Sequence, residues 1–183
     1  FETFADALIT PSAYTADIFA KGGINPKKLY AIHNGYDPEI YNREPVEPSV
    51  YISQEKFTFL FVGNGQWRKG LDILLNAWST TFTKSDNARL IIKDNSAVYG
   101  HSNLLNEIIK LQYKTKCAPI VYLDKQLTDY TMSDIYKASK VIVHPYRAEG
   151  LGMHIQEAMA CGCLPIVSDK GPTEDFVHNS LGF

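Results

Sequence analysis

The sequence contains few cysteines, no long apolar run and no excess of either charge, and each deficit excludes a class of protein. Three cysteines in 183 residues cannot form a disulfide framework. Cys161 and Cys163 are too close in sequence for an ordinary disulfide, which favours a reducing, cytoplasmic compartment. Because the Cys161-Gly162-Cys163 segment lacks a second cysteine pair or a nearby histidine cluster, it does not indicate a zinc site.

Membrane and nucleic-acid functions are also disfavoured by the composition. No segment approaches the ~18 apolar residues of a membrane-spanning helix, and we expect no signal peptide. A net charge of −2 gives no electrostatic basis for binding nucleic acid or an anionic membrane. With 45% hydrophobic and 21% charged residues, the chain has the composition of a globular protein with one well-buried core.

What the sequence does contain is a regular alternation of apolar strands and amphipathic helices from residue 57 onward. The predicted strands are Phe57–Val62, Ala88–Lys93, Ile120–Leu123, Lys140–His144 and Leu164–Val167. The predicted helices are Gly70–Phe82, Ser102–Tyr113, one containing Ser133–Ala138, one running through Glu157 and a short one at Thr173–Val177. Continuous apolar strands alternating with such helices predict an α/β fold, with a doubly wound, mainly parallel, Rossmann-like sheet covered on both faces.

The chain before this alternation is expected to be organised separately. A strand at Ala7–Thr10, a helix that starts at Ser12 and stops at Gly22, and a strand at Leu29–Ile32 are predicted within residues 1–42. Residues 43–56 carry two prolines and several charges without a period, which is typical of a linker. The main domain is therefore predicted at residues 57–183.

Strand counting predicts where a ligand binds. In the common doubly wound order 3-2-1-4-5, the first and fourth strands are neighbours, and a crevice opens at their carboxyl ends. The first loop, residues 63–70, follows strand one, and the second loop, residues 144–152, follows strand four. The two glycine-containing, charged loops are therefore expected to face each other.

The first loop has the residue types of a diphosphate receptor. Arg68 and Lys69 offer two cations beside backbone amides freed by Gly63 and Gly65. A solvated cation pair at a helix start is the alternative interpretation. Cations at a helix N-terminus oppose the macrodipole, so an anionic ligand nearby would compensate them.

The second loop adds two acids around two glycines. Gly150 and Gly152 let the backbone approach a ligand, or are ordinary turn glycines. Glu149 could accept hydrogen bonds from a sugar's hydroxyls, and Glu157 could bind a ribose diol as acids do in dinucleotide folds. Either acid alone could equally cap the helix or lie on the surface.

Other motifs fail. A phosphate loop of the Gly-Lys-Ser/Thr type is absent, because Lys69 precedes a glycine, and Arg68 stands where a dinucleotide fingerprint needs its third glycine. Asp94 ends strand two, where a ribose-binding acid would lie, but acids are common there. No Ser-His-Asp set and no metal-binding histidine pair emerges. Of the other candidates, His33, His101 and His178 are expected to be surface or structural residues. His144 and His154 flank the crevice and are not expected to contact ligand. Trp67 and Tyr146 could stack on a base or line the cleft, or equally pack in the core or at the rim.

Three blocks together resemble one enzyme family. The spacing from Glu149 to Glu157 matches the E-x7-E signature of retaining glycosyltransferases with the GT-B fold, the glycogen-synthase-like "group 1" enzymes that use nucleotide-sugar donors. The surrounding HPYRAEGLGMHIQEAMACGCLPIVSD resembles that family's signature block, and FVGNGQWRKGLDILLNAW resembles its donor-phosphate loop. The segment ITPSAYTADIFAKGGINPKKLYAIHNGYD is similar to the end of its first domain.

The resemblance assigns roles to residues of both loops. It implies that Glu149 lies by the donor sugar, that Glu157 binds the ribose, and that Lys69 neutralises the diphosphate. The family's arginine after the loop glycine is Asn64 here, so Arg68 is expected to supply that charge. The donor-binding set that it implies comprises Gly63, Asn64, Gly65, Gly150, Leu151, Gly152 and Glu157, with Glu149, Lys69 and Arg68 as catalytic residues.

The resemblance also implies the reaction and its limits. A hexose would pass from a UDP-, GDP- or ADP-sugar to a glycan, lipid-linked or protein acceptor with retention, without metal or cofactor, in polysaccharide biosynthesis. Residues 1–42 would be the tail of an acceptor-binding domain, and residues 57–183 a donor domain lacking its closing helices, so the chain alone is expected to be weak or inactive. Peripheral membrane association of a longer protein stays open.

Two other classes remain as alternatives. A nucleotide-sugar epimerase or a phosphorylase of related architecture would bind similar ligands, although a phosphorylase should carry a pyridoxal lysine for which the sequence gives no support. The other alternative is a non-catalytic sugar- or partner-binding module. Loss of Glu149, Glu157 or Lys69 would favour that interpretation, and all three residues are present.

Overall fold

The computed structural model describes residues 4–45, 55–94 and 103–178. Its strands are β1 (Leu8–Thr10), β2 (Leu29–Ala31), β3 (Phe57–Val62), β4 (Ala88–Lys93), β5 (Ile120–Leu123), β6 (Val141–His144) and β7 (Leu164–Val167). Its α-helices are α1 (Ala13–Lys21), α2 (Leu71–Thr81), α3 (Leu104–Thr115), α4 (Asp129–Ala138) and α5 (Met153–Ala160). Short 3-10 helices lie at Pro26–Lys28, Trp67–Lys69 and Pro172–Asp175.

Two parallel sheets organise the described residues. β1 pairs with β2, and the larger sheet has the order β5-β4-β3-β6-β7, with every pairing parallel. Renumbered from β3, this is the order 3-2-1-4-5, which confirms the predicted doubly wound topology. The switch point therefore lies between β3 and β6, where the two loops leave the sheet in opposite directions.

The large sheet is buried on both faces because alternate strand residues point to opposite sides. One core contains Phe61, Leu90 and Ile92 beneath α2 and α3, while Leu60 and Ile142 belong to the core beneath α4 and α5. All five are essentially inaccessible to solvent. Burying a side chain of this size contributes about 1.5–3 kcal/mol, so the two cores account for the continuous apolar strands.

Local signals set the helix boundaries. Ser12 caps α1 by accepting from the amide of Thr15 at 3.0 Å, and α1 ends at Gly22 as predicted. The helix predicted from Gly70 begins at Leu71 and is preceded by the 3-10 turn at Trp67–Lys69. The predicted Thr173–Val177 helix is the 3-10 turn Pro172–Asp175. The predicted start of α3 at Ser102 and most of the 43–56 linker lie outside the described residues.

The cysteines belong to the interior. Cys117, Cys161 and Cys163 are all free and buried. The thiol of Cys163 contacts the carbonyl oxygen of Tyr136 at 3.0 Å, and burial raises its pKa to about 12. The Cys163 thiol is therefore a packing group in its protonated form.

Candidate functional site

The two loops meet at the switch point through their main chains. The carbonyl of Arg68 accepts from the amides of Arg147 and Ala148, at 2.8 and 3.2 Å. The Arg147 guanidinium also donates to Asp72 and to the carbonyl of Trp67 at 2.7 Å, and lies 4.3 Å from the centroid of the Trp67 ring. The expected juxtaposition is thus confirmed, and Trp67 supports the second loop rather than the cleft.

Lys69 and Glu149 form an ion pair between these loops. The Lys69 ammonium donates to Glu149 Oε2, and each side chain is 13% exposed. The Gly150 amide donates to Glu149 Oε1 at 3.0 Å, and Arg68 Nη1 lies 4.0 Å from Oε2. Burial acts to raise the pKa of Glu149, but the adjacent His144, Lys69 and the Gly150 amide together hold that pKa far below its usual range. Glu149 is therefore an ionised carboxylate at neutral pH.

Beside this pair lies a cleft of about 510 Å³, which we call the main cleft. Its lining includes Lys69 and the second acid of the spacing motif, Glu157. Tyr136 donates to Glu157 Oε2 at 2.9 Å, which fixes the carboxylate at the cleft wall. Burial raises the pKa of Glu157 above its ordinary value, although the Tyr136 hydroxyl opposes this shift.

The predicted site residues divide between two hollows. The main cleft is lined by five of them: Gly63, Asn64, Arg68, Lys69 and Glu157. Glu149 and Gly150 line a second cavity of about 330 Å³, where they are joined by Tyr146. Leu151 is buried, and the other two, Gly65 and Gly152, line neither hollow within the described residues.

Gly152 has a structural reason to be glycine. It is the residue before α5, with φ at +93°, and a Cβ there would come within 2.9 Å of Ile155 Cδ1. A side chain would therefore be both strained and crowded at the start of α5. Tyr146, considered for base stacking, is buried and hydrogen bonded to Thr173 at 2.5 Å, so it packs in the interior instead.

Lys93 is a cleft residue that the sequence reasoning missed. It lines the main cleft at the end of β4, although it is only 2% exposed, and its ammonium donates to the Asp94 carbonyl at 2.6 Å. Burial lowers the pKa of Lys93, with Asp94 and Asp124 opposing the shift. Asp94, considered as a ribose acid, is fully buried and accepts from Tyr122 at 2.6 Å.

Two histidines form a pair beside Glu149. The rings of His144 and His154 are 4.3 Å apart and nearly perpendicular, and His144 Nε2 lies 3.6 Å from Glu149 Oε2. The ligand atoms of His144, Glu149 and His154 lie within 4.8 Å of one another, a proximity that the sequence pattern did not indicate. The histidines are ten residues apart in sequence, and only the packing of α5 against β6 brings them together.

The first segment of the chain also contacts the second loop. Ser12 and Thr15 donate to the carbonyl of Gly150 at 2.8 and 3.1 Å. Asp175 accepts from the Ala13 amide at 2.6 Å and pairs with His33 at 2.9 Å. His33 is thus structural, His178 is exposed, and His101 lies outside the described residues.

The family model for "Glycosyl transferases group 1" matches residues 42–183 of this chain. The chain belongs to this family. Its fold is that of the C-terminal half of a GT-B glycosyltransferase, with α/β layers and a mainly parallel Rossmann-like sheet.

Two curated relatives and one solved structure illustrate the similarity of this glycosyltransferase domain to known proteins. It is 29% identical to D-inositol 3-phosphate glycosyltransferase 1 of Catenulispora acidiphila, over 90% of this chain and 41% of the relative. It is 27% identical to the GDP-mannose:cellobiosyl-diphosphopolyprenol alpha-mannosyltransferase of Xanthomonas campestris, over 90% of this chain and 40% of the relative. The crystal structure of Anabaena Alr3699/HepE in complex with UDP and glucose has a TM-score of 0.77 at 19% identity, covering all of this chain and 50% of that one.

The group 1 glycosyltransferase domain thus spans less than half the length of these curated relatives and half of the Anabaena chain. Among residues 4–45, 55–94 and 103–178, no helix combines the length and apolarity needed to cross a membrane.

Proposed function

We propose that the chain is the donor-binding half of a retaining glycosyltransferase that transfers a hexose from a nucleotide sugar. The observation that carries the proposal is the Lys69–Glu149 pair, which joins the two loops beside a cleft whose wall contains Glu157. Lys69 and Glu157 thus line the main cleft, and Glu149, which lines the second cavity, is paired with Lys69 across the two loops. A packing unit alone would not require this arrangement.

The main cleft suits a nucleoside diphosphate in size and charge. A volume of about 510 Å³ lies within the roughly 300–1,000 Å³ of small-molecule sites. Arg68 and Lys69 are the groups that would bind the diphosphate, and Glu157 is the group that would accept from the ribose hydroxyls. The Anabaena neighbour in complex with UDP and the Xanthomonas relative named for GDP-mannose both support a nucleotide-sugar donor.

Electrostatics give the two loops different parts in the transfer. Negative charge develops on the nucleoside diphosphate as its bond to the sugar breaks, and the ammonium of Lys69 would stabilise it. Arg68 is nearly half exposed and donates to Gln66 Oε1 at 3.0 Å. It would turn toward the same phosphates in place of the family arginine that is Asn64 here. Glu149, held ionised, would accept hydrogen bonds from the sugar hydroxyls rather than donate a proton.

The remaining donor contacts in the proposal come from the backbone. Gly63 and Asn64 line the main cleft, and Gly65 follows them in the same loop. Gly150, Leu151 and Gly152 lead into the N-terminus of α5, where backbone amides favour an anion. We propose no metal or organic cofactor for the transfer itself. The acceptor, a glycan, lipid-linked or protein group, would be bound mainly by sequence outside this chain, with residues 1–42 as the end of that acceptor domain.

Calorimetric titration of the chain with UDP, GDP and ADP and their hexose conjugates tests the proposal. We expect one base series to bind, and Lys69→Met and Glu157→Gln each to weaken that binding by about 10- to 100-fold, since a charge-assisted hydrogen bond contributes about 1.5–3 kcal/mol. Lys21→Met is the matched control, because Lys21 is an exposed lysine paired with Asp17 on α1 and lines neither hollow. Absence of binding by every nucleotide, or unchanged affinity in the Lys69 variant, would refute the proposal.

A further inference from the structure

The proposed transfer assigns no role to two neighbouring histidines, His144 and His154. His144 ends β6 with its side chain fully buried, and His154 lies in the first turn of α5. Both ring nitrogens of His144 and Nε2 of His154 are buried without a hydrogen-bond partner. A buried polar atom without a partner costs about 1–3 kcal/mol, and most buried polar atoms in folded proteins are paired. These nitrogens therefore indicate a group that the protein binds.

The chemistry of the three side chains narrows the nature of that group. An unprotonated imidazole offers one nitrogen lone pair, and a carboxylate offers its oxygens. His144, His154 and Glu149 together therefore offer two imidazole nitrogens and a carboxylate oxygen to a cation.

We propose that His144, His154 and Glu149 form a binding site for a divalent transition-metal ion, with Zn²⁺ as the best match. Two histidines and one carboxylate are a common three-ligand set for zinc, and imidazole favours zinc and its neighbours over Mg²⁺ or Ca²⁺. The three ligand atoms lie within 4.8 Å of one another, so movements on the order of an ångström would bring them to the ~2.0–2.1 Å bonds of zinc. His154 also lines the main cleft, which gives the ion a route of entry.

Metal binding at this site depends on the position of the Lys69 side chain. Its ammonium occupies Glu149 Oε2, so a metal ion that takes this oxygen must displace it. Metal and Lys69 therefore compete for one carboxylate. If the proposed function is correct, the ion also occupies the acid that contacts the donor sugar, so metal binding and nucleotide-sugar binding oppose each other.

Titration of the chain with Co²⁺, followed by visible absorption and then by displacement with Zn²⁺, tests the site. We expect one Co²⁺ per chain with the intense bands of low coordination, and loss of these bands in His154→Ala and Glu149→Gln. The loss should exceed about a hundredfold in affinity, since even outer partners of metal ligands contribute about 10- to 100-fold. His178→Ala is the matched control, because His178 is exposed and lies outside the cluster.

Lys69→Met separates this proposal from the proposed function. It should tighten Co²⁺ binding by about tenfold or more because the competing ammonium is gone, while it weakens nucleotide binding. Circular dichroism and urea unfolding of each variant show whether it is folded. The metal site is refuted if His154→Ala binds Co²⁺ as the unchanged chain does, if His178→Ala abolishes binding, or if no Co²⁺ binds. None of these outcomes bears on the nucleotide titration.

Discussion

Gly70→Ala would separate the two loops without removing any polar side chain. Gly70 has φ at +73° and lies between the Trp67–Lys69 turn and α2. A Cβ built on it would overlap the carbonyl of Pro145, which lies in the second loop. Because the obstructing atoms are backbone, no side-chain rotation relieves the overlap, and one loop must shift away from the other.

The expected cost can be worked from two contributions. A left-handed conformation costs an alanine roughly 1–2 kcal/mol. Overpacking of a well-packed contact costs typically about 1–3 kcal/mol, and a backbone obstacle places this site at the upper end. We therefore expect Gly70→Ala to lower the free energy of unfolding by about 2–5 kcal/mol, a large part of the roughly 5–15 kcal/mol of an ordinary domain.

Urea unfolding followed by circular dichroism measures this change, with Gly35→Ala as the matched control. Gly35 has no left-handed φ and no atom within 4 Å of an added Cβ. Its substitution should be neutral or stabilise by up to about 1 kcal/mol through the unfolded chain. The nucleotide affinity of Gly70→Ala should also fall, because Lys69 is the preceding residue. Equal unfolding midpoints for Gly70→Ala and the unchanged chain would refute the reasoning about loop contact.

Two further changes probe the site's electrostatics and the core. The pKa of Glu149 is lower in the folded chain than its ordinary 4.5, so its ionisation stabilises the fold above about pH 4.5 and this contribution is lost as the pH falls. Glu149→Gln should therefore show a shallower loss of unfolding free energy between about pH 4.5 and pH 3, by at most about 1.4 kcal/mol per pH unit; an unchanged acid slope would contradict this. Trp78→Phe removes the indole donor to the carbonyl of Ala118 at 3.0 Å, so thermal unfolding should show a loss of about 1–3 kcal/mol, and a neutral result would mean that the carbonyl finds another donor.

The order of the large sheet could be predicted because its strands are short, apolar and separated by amphipathic helices. Doubly wound topology then follows from general rules of chain connection, and it places the first and second loops together. Sequence and topology together were therefore sufficient to predict that the two loops meet. The direct ion pair between Lys69 and Glu149 was not predicted.

Other features depended on the rotation and depth of single side chains, which a pattern of residue types does not record. Lys93 is the last residue of an apolar strand, yet it is buried and lines the main cleft. His144 and His154 belong to different elements, and their contact depends on how α5 packs over β6. The roles inferred for Gly65 and Gly152, and those of the donor contacts generally, stay predictions.

The ion pair between Lys69 and Glu149 links the predicted diphosphate contact to the predicted sugar contact. When no nucleotide sugar is bound, the Lys69 ammonium and the Glu149 carboxylate compensate each other's charge, and both side chains are only 13% exposed. Under the proposed function, an arriving diphosphate would compete for the ammonium and thereby release the carboxylate to the hydroxyls of the attached sugar. A nucleotide without its sugar would leave that carboxylate with less compensation, and a free sugar would find it already paired. We therefore expect the chain to bind the intact nucleotide sugar more tightly than either of its parts, and the titration with nucleotides and with their conjugates measures this difference directly.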